Sequence, residues 1–414
     1  MIDFVEFKLE NDLHCILHKD QSKPIVNIMV GYKVGSKDET EGKKGVAHLF
    51  EHLMFQGSKN IKKGDHFEFV QRTGGYCNAF TSQDMTVYYE NLPSNHLATG
   101  LWLESDRMNE IDLSEENLLN QKNVVIQEKM QNYDNAPYGT AMINILKILF
   151  KGSSYEIATI GNEEDIRSFL KLEAEEFHYN YYSPHNSALL ISGDIDYPET
   201  IDMINQYFGK INKSKKLNRN YKTPEIFTED RRLKIYDNIK LPVLYFCFPI
   251  PAAGSQEEYT MEYFANIIAN NRSSRLYRNL VYEKKLLKSI SATKYQFLET
   301  GVFIITAVAY PDSNNEEIEK EITDGINDFV RNGIKDAEYL KIKNKLDYAF
   351  NARMATLHNI NGDLFNCWFF YNDTGRVNSN LQKYLSVRKD DIIESVKKYL
   401  FFVPKLLLTY LPKN

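Results

Sequence analysis

The chain has 414 residues, 43% of them hydrophobic and 26% charged, with 20 Gly and 12 Pro. Single hydrophobic cores stop growing near ~250–300 residues, so two lobes are expected, and the composition excludes collagen-like, low-complexity and largely disordered architectures. Lys and Arg total 50 against 56 Asp and Glu, a net charge of −6, which excludes the basic footprint of a nucleic-acid binder and points to no membrane partner. In chain order, residues 5–9 and 13–17 alternate in polarity about a turn at Glu10-Asn-Asp, and 25–34 is a third β-rich run. Helical periodicity follows over 46–55 and 65–73, then a Gly74-Gly75 break and a hairpin pairing 79–81 with 86–89. Helices are expected over 97–108, 114–131, 163–182 and 198–208, with a short buried strand at 187–192.

Residues 212–232 are polar, basic and poorly periodic, and are read as a linker between an N-terminal half (1–211) and a C-terminal half (233–414). The second half repeats the order of the first. Strands at 233–236 and 242–250 precede a helix at 257–269, and a strand at 301–309 leads into an acidic helix. Near the end, a helix at 391–402, Pro404 and a strand at 406–409 echo 175–182, Pro184 and 187–192, with the two prolines 220 positions apart. The expected fold class is α+β: two similar α/β-sandwich halves, each an antiparallel-rich sheet with helices on one face.

Cys15, Cys77, Cys247 and Cys367 lie far apart with no CxxC spacing, so neither a disulfide framework nor a cysteine zinc site is expected. Charge enters the first residues early, and the most apolar late stretch, 399–411, is cut by Pro404 and Lys405. Neither reads as a signal peptide or a membrane span, and a soluble cytoplasmic protein of bacterial type is the expectation.

The chemistry concentrates in His48-Leu-Phe-Glu51-His52. Two histidines four residues apart on a helix stack on one face, which suits two imidazole ligands to one metal. Glu51 projects beside such a metal, where a carboxylate takes a proton from water and returns it to a leaving amine. The order His-x-x-Glu-His is the inverted zinc-peptidase motif. A third protein ligand is needed. Glu128, 76 residues after His52, follows Val124 and Val125 on a helix; spacing alone leaves it open between a ligand and a solvated glutamate. His14, His18 and His66 have no metal spacing among them and are expected at the surface. Trp102 and Trp368 are expected as core anchors.

Together with Val34-Gly-Ser-Lys-Asp-Glu39, Gly74-Gly-Tyr-Cys-Asn-Ala-Phe-Thr-Ser82, Asn123-Val-Val-Ile-Gln-Glu128, Gly193-Asp194 and Ser273-Ser-Arg-Leu-Tyr277, this motif resembles the pitrilysin-type inverzincins. The likeness is to their small bacterial and mitochondrial-processing-peptidase-like branch, and the motifs fall in the family's order over nearly the whole chain. The resemblance implies one Zn2+ per chain on His48, His52 and Glu128, Glu51 as the base, and a clamshell assembly. It also implies that Asn78, Ala79, Phe80 and Thr81 form the edge strand on which substrate is laid, with the Asn78 side chain holding substrate backbone. Without it, Gly74-Gly75 before a strand is an ordinary helix stop and hairpin start.

Two positions depart from the family pattern. Gln121 stands seven residues before Glu128, where many members carry a second glutamate beside the site. Val281 and Lys288 stand where many members carry an Arg and a Tyr that orient the substrate carbonyl and stabilise the oxyanion. Small members form dimers, so the resemblance implies that a paralogous chain with the Arg–Tyr pair completes the site. The expected function is a zinc endopeptidase of unfolded peptides or leader-like segments; the alternative is a weakly active or non-catalytic partner subunit.

Overall fold

The computed structural model describes residues 1–225 and 228–413; residues 226 and 227, part of the expected linker, lie outside them. The strands are β1 (Val5–Lys8), β2 (His14–Lys19), β3 (Ile25–Tyr32), β4 (Tyr76–Thr81), β5 (Thr86–Pro93), β6 (Ser187–Gly193), β7 (Arg231–Asp237), β8 (Val243–Ile250), β9 (Leu287–Gln296), β10 (Gly301–Ala309) and β11 (Leu406–Pro412). The helices of the first half are α1 (Val46–Leu53), α2 (Asp65–Arg72), α3 (Leu97–Asn109), α4 (Glu115–Lys129), α5 (Ala141–Leu149), α6 (Glu163–Ser168), α7 (Lys171–Tyr181) and α8 (Tyr197–Phe208). Those of the second are α9 (Glu257–Ile268), α10 (Asn315–Asn332), α11 (Asp336–Arg353), α12 (Leu357–Tyr371), α13 (Asn380–Leu385) and α14 (Lys389–Tyr399). None of the described helices is long and apolar enough to cross a membrane.

Two sheets form, with strand orders β1-β2-β6-β3-β5-β4 and β7-β11-β8-β10-β9. Each contains a single parallel pair, β2 with β6 and β7 with β11, and is otherwise antiparallel. Without β1 the two orders superimpose strand for strand, so β6 corresponds to β11 and β4 to β9. The starts of β6 and β11, Ser187 and Leu406, lie 219 positions apart, which is the proline echo of the sequence seen as topology.

The sheets follow the two halves of the sequence, but the compact units do not. One unit comprises 1–131, 153–222 and 353–378; the other comprises 132–152, 223–352 and 379–414. In the second unit α5 packs on β11, where the Tyr410 hydroxyl meets Thr140 Oγ1 at 2.7 Å and accepts from Asn144 Nδ2 at 3.1 Å. In the first unit α12 lies on β6 and β3, with Asn361 Nδ2 donating to Asn27 Oδ1 at 2.6 Å. A Cβ on Gly31 would stand 2.1 Å from the Phe365 ring of α12, so that close approach requires glycine. The helices are therefore not confined to one face of the sheet. Along β6 every residue is buried, and along β3 all but Ile25. Strands with no solvent face need a cover on both sides.

Two further expectations change. The helix expected over 163–182 breaks at Phe169 and Leu170, both extended. Phe169 is buried against Phe50, and the Glu173 carboxylate accepts the Leu170 N–H at 2.7 Å, restarting the helix. His14 and His66 are buried rather than at the surface. His14 Nε2 lies 2.6 Å from Glu6 Oε1, and its ring packs on Trp368, which α12 brings over β2. His66, from α2, enters a charged cluster between helices and sheet with Glu90 of β5 and Glu104 and Arg107 of α3.

In that cluster Arg107 makes a two-point bridge to Glu104, its Nε donating at 2.9 Å. Burial raises Glu90 and Glu104 to about 7, against the pull of Arg107. Burial first, and Arg107 second, push His66 down to about 3. A carboxyl that keeps its proton only when folded contributes most stability at low pH. That contribution is lost as pH rises from the ordinary ~4.3 through the folded value. The depressed His66 acts oppositely below ~6.5, so the comparison that isolates the carboxyl is between a variant and its parent. Relative to the parent, Glu90→Gln is predicted to gain on the order of 1–3 kcal/mol as pH rises from ~4.5 to ~7.5. Denaturant midpoints over that range measure it, and parallel curves for the two proteins would rule the assignment out.

Candidate metal centre

Helix α1 begins at Gly45, whose φ of 97° admits glycine and which has no side-chain cap to offer. Glu39 supplies the cap from a distance. Its two carboxylate oxygens accept the Gly45 and Ala47 N–H groups at 2.8 Å each, satisfying donors that a helix start leaves unpaired. Val46, Ala47, Leu49, Phe50 and Leu53 form the buried face of α1. At ~100° per residue, burying those five leaves His48, Glu51 and His52 on the opposite side.

The second contributor is α4, whose N-cap Ser114 accepts the Asn117 N–H. Its buried residues include Leu118, Gln121, Val125 and Ile126. Val125 joins the core as its spacing suggests, whereas Val124 stays exposed. Packing of α4 against α1 carries Glu128 to the two histidines. Glu128 Oε2 lies 3.3 Å from His52 Nε2 and 3.8 Å from His48 Nε2, and the two imidazole rings stand 4.9 Å apart, nearly perpendicular. Gln121 is buried two turns earlier on the same helix.

Two imidazoles and one carboxylate are the donor set of a catalytic zinc site, with a fourth position left open. Tetrahedral ligands at ~2.0–2.1 Å from zinc stand about 3.3 Å from one another, close to the separations seen here. The three residues therefore fit the ion. Burial lowers His48 to about 4, with His52 adding to the effect and Glu128 opposing it. Its imidazole is then neutral near pH 7, the form that ligates a metal. His66, Glu90 and Glu104 also converge within metal-ligand distance, but Arg107 already occupies Glu104 there, and that cluster is an ion-pair network.

Glu51 lies beside the ligands, and its Oε2 accepts a hydrogen bond of 2.6 Å from Thr81 Oγ1. Burial raises its carboxyl, opposed by the Thr81 hydrogen bond and by His52. Thr81 comes from β4, the open edge strand of its sheet. Side chains alternate along a strand, so Ala79 and Thr81 share one face and Tyr76, Asn78 and Phe80 the other. Asn78, read from sequence as a holder of substrate backbone, thus projects on the face opposite Thr81, and its Oδ1 accepts the Ala79 N–H at 2.9 Å. In the second unit Val281 packs against the core, and Lys288 is exposed on β9.

Two supporting groups carry no motif that sequence reading assigned to a role. Glu39 is one; an acid a few residues ahead of a helix start that lacks its own cap was the available signal. Lys37 is the other. Its buried Nζ pairs with Asp38 Oδ2 at 2.8 Å and donates to Asp84 O at 3.3 Å. Ser36 and Lys37 N–H groups bond Ser82 and Gln83 carbonyls, so this loop holds the turn that follows Thr81.

Family models match most of the chain: "Insulinase (Peptidase family M16)" over residues 14–163 and "Peptidase M16 inactive domain" over 171–346. The zinc protease PqqE of Helicobacter pylori is 27% identical over 397 residues, covering 94% of this chain and 89% of that one. An uncharacterized zinc protease of Bacillus subtilis, YmxG, is 23% identical over 361 residues, covering 86% and 85%. A mitochondrial-processing peptidase subunit beta, from Blastocladiella emersonii, is 21% identical over 319 residues, covering 75% and 67%. The fold is that of a crystal structure of a protease from Helicobacter pylori, at TM-score 0.94 and 24% identity with both chains fully covered. It is also that of an M16 inactive-domain protein from Pseudomonas fluorescens, at 0.90 and 16%, covering 100% of this chain and 98% of that one.

Removing the remote cap is predicted to weaken α1. Glu39→Ala should lower stability by about 1–2 kcal/mol, read from thermal or denaturant unfolding, with Glu39→Gln intermediate. An unchanged Glu39→Ala midpoint would show that the cap contributes nothing.

Proposed function

The chain belongs to peptidase family M16, and on that premise we propose that it is a zinc-dependent endopeptidase of unfolded peptides or leader-like segments. The observation that carries this reading is the convergence of His48, His52 and Glu128 with Glu51 beside them. Relatives named as zinc proteases support the choice of metal. Zinc held by His48, His52 and Glu128 supplies Lewis acidity toward a peptide carbonyl and toward water. Glu51 takes the proton of the attacking water on its carboxylate and returns it to the leaving amine. Thr81 orients that carboxylate through its hydroxyl. The unpaired edge of β4 offers main-chain hydrogen bonds to an extended peptide, a mode with little demand on side-chain identity and no place for folded chains.

The purified protein is predicted to hold about one zinc per chain by elemental analysis. Glu51→Gln should retain the zinc and lower peptide cleavage by roughly 10²–10⁴-fold. His48→Ala should lose the metal. Cleavage unaltered in Glu51→Gln would assign the base elsewhere, and a metal-free parent would remove the reading altogether.

Val281 and Lys288 favour a second reading, in which this chain works as one subunit of a heterodimer. An aliphatic side chain packed against a core cannot donate to an oxyanion, and each lost donor typically removes ~2.7–4 kcal/mol of transition-state stabilisation. A paralogous chain carrying the Arg–Tyr pair would supply both. The expected result is weak cleavage by the chain alone and roughly 10²-fold or greater stimulation by such a partner. Full turnover by the homogeneous protein would sink this assembly while leaving the zinc peptidase in place.

A further inference from the structure

We propose that the outer face of β4 carries a side-chain subsite, a pocket that takes a bulky apolar residue of a bound peptide about five positions from the cleaved bond. The inference rests on the reading of β4 as the strand on which peptide is laid.

Register settles which face is meant. Tyr76 pairs with Asn91, Asn78 with Tyr89, and Phe80 with Val87, so these side chains lie on one side of the sheet. That side is the one α12 covers, for Asn361 bonds Asn27 on β3 and the His358 ring lies 4.3 Å from the Tyr89 ring on β5. The cover stops at β5. Tyr76 and Phe80, on the strand beyond, remain 57% and 45% exposed.

Between residues 354–360 and the start of β4 lies a cavity of about 500 Å³. Its walls are mainly apolar, formed by Ile25, Tyr76, Leu92, Met354, Leu357 and Ile360, with one acid and one base, Asp20 and Lys23. The opposite charges cancel, so the lining selects for apolar bulk rather than for charge. Two polar atoms on lining residues, Asn91 Nδ2 and His358 Nδ1, have no hydrogen-bond partner among the described residues.

A strand added to the open edge of β4 continues its pleat and presents every second side chain to this face. From Thr81, which reaches Glu51, back to Tyr76 is five residues, or ~17 Å at ~3.4 Å per residue. A peptide cleaved beside Glu51 and paired along β4 therefore passes the pocket about five residues from its cleaved bond. Peptides shorter than that never reach it. The pocket would make this enzyme prefer longer substrates with one apolar residue at a fixed offset, and leave the sequence at the cleaved bond free.

The test measures binding, so that it does not depend on turnover. Zinc-loaded Glu51→Gln protein is titrated into fluorescein-labelled peptides that carry Phe or Gly at single positions about four to six residues on either side of the bond, read by fluorescence anisotropy. The expected result is about tenfold or tighter binding for Phe at one offset. Adding Ala355→Trp, an exposed lining position whose indole narrows the cavity, should abolish that preference. Adding Met354→Asp, which places a charge in the wall, should do the same if the Trp variant fails to fold. Equal binding of Phe and Gly peptides at every offset would overturn the proposal, as would a preference that survives both changes. If the parent cleaves none of these peptides, alone or with a partner carrying the Arg–Tyr pair, while the preference is seen, the peptidase reading fails and the subsite stands.

Discussion

The burial of one face of α1 is the constraint on which the site depends. Five of its eight residues go into the core of the first unit, and fully buried side chains of the Leu and Phe kind contribute roughly 1.5–3 kcal/mol each. That driving force sets the rotation of the helix about its axis, and the rotation sets where His48, Glu51 and His52 point. The side chains of the candidate metal centre do not have to organise themselves. They are the residue of a packing decision made by their apolar neighbours, and a helix rotated by one position would bury a histidine instead.

The supports around α1 act on the remaining degrees of freedom. Glu39 fixes its start, α4 brings Glu128 onto the same side, and the Lys37 loop holds the turn beyond Thr81. Each is a polar group taken out of water and given partners, as burial requires. The charged cluster of His66, Glu90, Glu104 and Arg107 lies deeper, between sheet and helices. There burial shifts protonation, and Arg107 already supplies the positive charge that a metal would bring.

The internal repeat puts the same scaffold to two uses. Both sheets share one topology, and β4 and β9 are equivalent open edges. Only the first repeat carries histidines on the helix, His48 and His52 on α1; the run of α9, Glu257–Ile268, has none. Its packing is that of a core helix, with ten of twelve residues buried. A related backbone thus carries a candidate metal centre or none according to a few side chains on one helix face, so the fold alone does not fix the function.

What the sequence determined by itself is local in origin. The one-turn spacing of His48 and His52, the strand patterns of β6 and β8, and the repeat all follow from periodicity, which depends on near neighbours alone. Glu128 was legible only as a candidate, since nothing within its own helix distinguishes a ligand from a solvated glutamate. Tertiary structure decided the rest. The face on which Asn78 projects follows from the register of β4 on β5. The burial of His14 and His66 follows from Trp368 and from the α3 charges. The exchange of α5 and α12 between units follows from the need of strands buried on both faces for a second cover. Each of these turns on partners far away in the chain, and periodicity carries no information about which distant surface a segment will meet.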